Sequence, residues 1–69
     1  MTRQRLVVKK VLCDACAHLT AEEIYDRAKL LLPDIALGTV YRNLGALVEC
    51  GEIVRIDVSG EASRYDGNV

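Results

Sequence analysis

The sequence contains no Phe and no Trp, and only one Pro, one Met and one His among its 69 residues. A core must therefore be built from Leu, Val, Ile and Ala, with Tyr25, Tyr41 and Tyr65 as the only aromatics. That shortage disfavours folds that hold single-stranded nucleic acid by stacking its bases on aromatic side chains. No apolar run approaches the length needed to span a bilayer, so no membrane association is expected. The start, Met1-Thr2-Arg3-Gln4-Arg5 followed by Leu6-Val7-Val8, imitates a secretory signal. Lys9 and Lys10 interrupt its apolar stretch after three residues, which excludes that reading. Three cysteines are an odd number and make no disulfide framework. A cytoplasmic chain with reduced thiols is expected. With no evident nucleophile–base pair and no room for a substantial pocket, an enzyme is the least expected class.

What is present is apolar enough to fold. The chain is 51% hydrophobic, which argues against disorder. At 7.6 kDa, folding should bury about 60% of the unfolded surface, enough for one small core. The formal net charge is −1, which by itself argues against a polyanionic partner. The charges are segregated, however. Residues 1–13 hold Arg3, Arg5, Lys9 and Lys10 and no acid, while residues 14–34 hold five acids against Arg27 and Lys29. For binding phosphates, that distribution matters more than the total.

The apolar pattern predicts three helices and a hairpin. Leu6, Val8, Val11, Leu12 and Ala15 give a loose stripe over 3–16, with Thr2 as a candidate cap. Thr20-Ala21-Glu22-Glu23 matches a capping box and opens a second helix, which runs to about Leu32. Ala21, Ile24, Ala28 and Leu31 lie on its inner face, and Pro33 stops it. Leu37, Val40, Leu44, Leu47 and Val48 make the stripe of a third helix over 37–50, ended by Gly51 in a left-handed conformation. Residues 52–58 read as a strand with Val54, Ile56 and Val58 on one face. After a turn at Ser59-Gly60-Glu61, residues 63–66 return as a second strand with Tyr65 inward.

The order predicts a winged helix-turn-helix in one domain over 1–69, mainly α with a small antiparallel hairpin (an α+β fold). The third helix would then enter the major groove of DNA. With its apolar stripe on the core, Thr39, Arg42, Asn43 and Ala46 face outward and Tyr41 lies on the flank. Arg can bind guanine or phosphate, Asn can read adenine, and Thr and Tyr can hold phosphates. Gly38 would let the backbone approach the duplex closely. Arg3, Arg5 and Lys9 are candidates to hold the DNA backbone.

The string Thr39-Val40-Tyr41-Arg42-Asn43-Leu44 resembles the ferric uptake regulator family of bacterial metal-dependent repressors. So do Thr2-Arg3-Gln4-Arg5, His18-Leu19-Thr20-Ala21-Glu22-Glu23-Ile24-Tyr25, Gly51-Glu52-Ile53 and Ser63-Arg64-Tyr65-Asp66. The resemblance implies a DNA-binding domain that reads A·T-rich palindromic operators as a homodimer of the full-length protein, and that is monomeric alone. It implies DNA contacts at Tyr41 and Arg42, with basic residues near the first helix on the backbone or minor groove. It also implies that His18 and Asp66 contribute to a regulatory metal site. Iron or manganese is the expected ion, with zinc as an alternative, and a second domain completes the ligand set. The chain alone should hold such an ion weakly or not at all.

An aspartate in Arg64-Tyr65-Asp66 looks more like the peroxide-sensing branch than the iron-uptake branch. In that branch, iron-catalysed oxidation of a metal-bound histidine releases the repressor from DNA. Set against the family pattern, the first helix before Met1 and the dimerisation domain after Val69 are absent. Ala36 stands where the family often has a capping Ser.

Two other readings remain open at this point. One is a winged-helix protein-interaction module that does not bind DNA, which the net charge favours. The other is a small zinc-stabilised domain using Cys13, Cys16, His18 and Cys50. A single Cys-x-x-Cys is weak support for the latter, and ordinary thiols with Cys13 partly in the core are preferred.

Overall fold

Residues 3–15 and 17–67 are described by the computed structural model of the chain. The candidate cap Thr2 and the candidate ligand Cys16 lie outside them. The first helix, α1 (Arg3–Ala15), buries Val8, Val11 and Leu12. Leu6 is 55% exposed, not part of the stripe as expected. At about 100° per residue it falls opposite Val8, Val11 and Leu12, and Val7 packs at the edge of the core instead.

The capping box forms as expected. The Thr20 hydroxyl accepts from the Glu23 amide at 3.2 Å, and the Thr20 amide donates to the Glu23 carboxylate at 2.9 Å. It opens α2 (Ala21–Ala28), which buries Ala21, Ile24 and Ala28. This helix ends four residues earlier than predicted. Beyond it, Leu30 and Leu31 donate to carbonyls three residues back, at Arg27 and Ala28. That tighter winding rotates Leu31 out to 50% exposure, and Leu32 packs on the core in its place.

The third helix, α3 (Leu37–Glu49), buries Val40, Leu44 and Leu47. Ala36 takes the extended conformation of a helix cap but offers no side-chain bond to it. The other end is well closed. The Gly51 amide donates to Val48 and the Glu52 amide to Leu47, both at 3.0 Å, with Gly51 at φ 74°. These paired bonds satisfy carbonyls that the helix leaves open, and the positive φ accounts for the glycine.

Three short strands complete the fold: β1 (Leu19–Thr20), β2 (Val54–Ile56) and β3 (Arg64–Asp66). They form an antiparallel sheet in the order β1-β3-β2. The hairpin turns at Val58–Glu61, closed by the Glu61 amide on the Val58 carbonyl, with Gly60 at φ 77°. Tyr65 points inward from the central strand, as predicted. The facing of β2 differs from expectation. Ile53, just before the strand, is the buried residue, while Val54 and Val58 are exposed. The strand is only three residues long, so Ile53 supplies its anchor from the loop side.

The helix pair α2–α3 followed by the β2–β3 hairpin is a winged helix-turn-helix. Its core is aliphatic apart from Tyr65 and one buried amide, Asn43. Among the described residues no helix is long and apolar enough to cross a membrane.

Candidate nucleic-acid interface

One face of α3 is left uncovered. Gly38, Tyr41, Arg42 and Gly45 are exposed, at the three- and four-residue spacing that puts them on one side of the helix. A side-chain carbon added at Gly38 or at Gly45 would meet nothing within 4 Å. The surface beside Tyr41 and Arg42 is therefore open and low. Thr39 and Ala46 are half-buried at its border.

Asn43 corrects the expectation. It is 6% exposed and faces the protein, not solvent. Its Nδ2 donates to the Thr39 carbonyl at 2.9 Å, and its Oδ1 accepts from Arg5 Nε at 3.4 Å. At about 100° per residue it lies ~90° from the centre of the apolar stripe. On that side α1 packs against α3 and covers it. Its amide is thus turned toward α1 and its own helix, not toward the open α3 face.

The basic residues of α1 divide in the same manner. Arg3 is exposed at the helix start. Arg5 is half-buried and engaged with Asn43. Lys9 pairs with Glu52 at 2.5 Å, and that hydrogen bond holds its proton more firmly than usual, raising its pKa. Lys10 pairs with Asp14 one turn on. Of the three residues expected on the DNA backbone, two are therefore held within the protein.

A second site lies at the wing. The β1–β3 register pairs Leu19 with Tyr65 and Thr20 with Arg64. Continued by one residue, it sets His18 beside Asp66, and His18 Nε2 lies 3.2 Å from Asp66 Oδ2. Arg64 fixes this corner. Its guanidinium donates to the His18 carbonyl at 3.1 Å and to the Glu23 carboxylate at 3.3 Å. The Glu23 carboxyl sits below its usual range. Hydrogen bonds from the Thr20 backbone and side chain are the main cause, with Arg64 and Arg27 adding to them. The next residue, Gly67, is pressed against α1. An added side-chain carbon there would lie 3.0 Å from Leu12 Cβ and 3.2 Å from the Cys13 nitrogen.

Two ligand atoms about 2.1 Å from one first-row divalent ion stand roughly 3.0–3.4 Å apart at tetrahedral to octahedral angles. The His18–Asp66 separation fits that range. Among the described residues no group of three or more His, Cys, Asp or Glu converges to hold a metal ion. Cys13 and Cys50 are both exposed, so Cys13 is not part of the core as expected. The pairing strand β1 and the Arg64 clamp were not anticipated. A two-residue strand carries no periodic signal, and Arg64 acts across 41 and 46 residues of sequence.

The sequence model of the Ferric uptake regulator family matches residues 1–69. A ferric uptake regulation protein of Rhizobium leguminosarum bv. viciae is 36% identical over 66 residues, covering 96% of this chain and 46% of that protein. The peroxide-responsive repressor PerR of Staphylococcus epidermidis is 31% identical over 68 residues, covering 99% and 45%. The crystal structure of the Vibrio cholerae ferric uptake regulator superposes with a TM-score of 0.88 at 33% identity. That match covers 100% of this chain and 53% of that one, a regulator whose DNA-binding domains are structurally rearranged. The chain thus spans about half the length of the relatives it matches.

Proposed function

The chain belongs to the ferric uptake regulator family, and on that premise we propose that it is the DNA-reading part of a metal-responsive transcriptional repressor. The observation that carries this reading is the uncovered α3 face, where Tyr41 and Arg42 stand between two glycines. A major groove admits one helix, and the missing side chains at Gly38 and Gly45 let this one approach closely. Arg42 reaches a guanine edge or a phosphate. Tyr41, 48% exposed, offers a hydroxyl to phosphate and a ring face to a thymine methyl. Thr39 supplies a hydroxyl at the border, and Arg3 a phosphate contact at the start of α1. An A·T-rich inverted repeat bound by a dimer of the longer protein is the proposed target.

His18 and Asp66 are the proposed contribution of this chain to the regulatory metal site. When bound, iron, manganese or zinc supplies a positive centre that ties imidazole and carboxylate to ligands from elsewhere in the protein. The chain's own part is positional. Strand pairing sets the two side chains side by side, and Arg64 locks the His18 backbone to the capping box of α2. The aspartate favours the peroxide-sensing branch, although relatives of both kinds match the chain.

Fluorescence anisotropy on an A·T-rich inverted-repeat duplex, across a salt series, tests the reading. Affinity should fall with salt, and Arg42→Ala should weaken it by roughly 5- to 100-fold. Binding that is unaffected by the substitution and by salt would refute the assignment.

A further inference from the structure

Asn43 is the one polar residue buried among the described residues, and it joins two elements that the aliphatic core alone would hold loosely. Val8 and Leu12 of α1 and Leu44 and Leu47 of α3 all belong to that core. Such contacts are non-directional, and cores of the right volume and patterning tolerate exchange of their side chains, so they specify one arrangement less sharply than a polar pair does. The amide has one geometry. It takes Arg5 of α1 on its oxygen and the Thr39 carbonyl of its own helix on its nitrogen. One turn further along α1, Lys9 grips Glu52 just past the C-terminus of α3. The recognition helix is thus pinned to α1 at two points, one in its middle and one at its end.

We infer that Asn43, with Arg5, is a positioning residue for DNA reading: it sets the depth and angle at which the Gly38–Tyr41–Arg42–Gly45 face meets the groove, relative to Arg3 at the start of α1. The inference rests on the proposed DNA reading and deepens it. A buried polar group of this kind contributes little net stability when an apolar isostere can replace it, yet it selects one arrangement. Its loss should therefore cost discrimination more than folding.

The test uses the 69-residue chain and two duplexes of equal length, one an A·T-rich inverted repeat and one G·C-rich. Asn43→Leu keeps the branched side-chain outline, with bulkier methyl ends, and removes both hydrogen bonds. The expected result is a melting temperature close to that of the unsubstituted chain, an unchanged salt slope, and an A·T-over-G·C affinity ratio lowered about tenfold. Arg5→Met approaches the same bridge from its exposed side. It should lower the ratio similarly, and the double substitution should lower it no further. An unchanged ratio in Asn43→Leu, or losses that simply add, would overturn the inference. If Asn43→Leu does not fold, the ratio measured for Arg5→Met decides in the same way. An unsubstituted chain that binds neither duplex with salt dependence would instead overturn the DNA reading, and this inference with it.

Discussion

At the scale of single residues, the account turns on side chains that do two jobs. Glu23 closes the capping box and also receives Arg64 from the wing. Its carboxyl is held below the usual range, so the folded state keeps it ionised where the unfolded chain would protonate it. The stabilisation is fully present above the unfolded pKa and is lost as pH falls through the folded value. Melting temperature should therefore decline on acidification through the carboxylate range, and Glu23→Gln should flatten part of that decline. An identical acid profile in both proteins would contradict this role. Gly67 is constrained from outside. A methyl group there meets the backbone nitrogen of Cys13, which cannot swing aside. Gly67→Ala should destabilise by about 1–3 kcal/mol and displace Asp66 from His18. Denaturant unfolding reads the first effect, and amide chemical shifts at His18 and Asp66 read the second.

At the scale of elements, the weak point is the start of α3. Ala36 already has extended cap geometry, at φ −97° and ψ 152°, but no side-chain oxygen. Ala36→Ser should stabilise by about 1 kcal/mol, which for a domain of this size raises the melting temperature by roughly 4–8 °C. A thermal scan checks it, and no rise would mean that the first turn is satisfied in some other way. The elements also show what sequence periodicity can report. The stripe of α3, the capping box of α2, the glycine at φ 74° and the inward Tyr65 were legible, because each is a local pattern with one physical solution. Leu31 departs from the predicted inner face, because the winding tightens after Ala28 and no residue before Pro33 announces it. Asn43 departs from the sequence expectation because it sits at the edge of the stripe, and only the arrival of α1 decides which way an edge residue faces.

At the scale of the whole molecule, the sheet brings distant segments together. His18 and Asp66 are 48 positions apart, yet strand pairing sets their side chains 3.2 Å from each other. The family resemblance pointed to both residues; composition and spacing alone did not connect them. Charge follows the same logic. The net −1 conceals a basic α1 and an acidic α2, and within α1 Lys9 and Arg5 are engaged with Glu52 and Asn43 while Lys10 pairs with Asp14 at the surface. On α1 and α3 the exposed Arg3 and Arg42 are placed for DNA, so binding by this chain should depend on few phosphate contacts there and on close fit at α3. Mapping backbone amide shifts while titrating an A·T-rich inverted-repeat duplex tests that claim most directly. The account predicts the largest changes at Gly38, Tyr41, Arg42 and Gly45, smaller ones near Arg3, and none around Leu30 and Leu31. Changes absent from α3, or centred on the far side of the molecule, would contradict it.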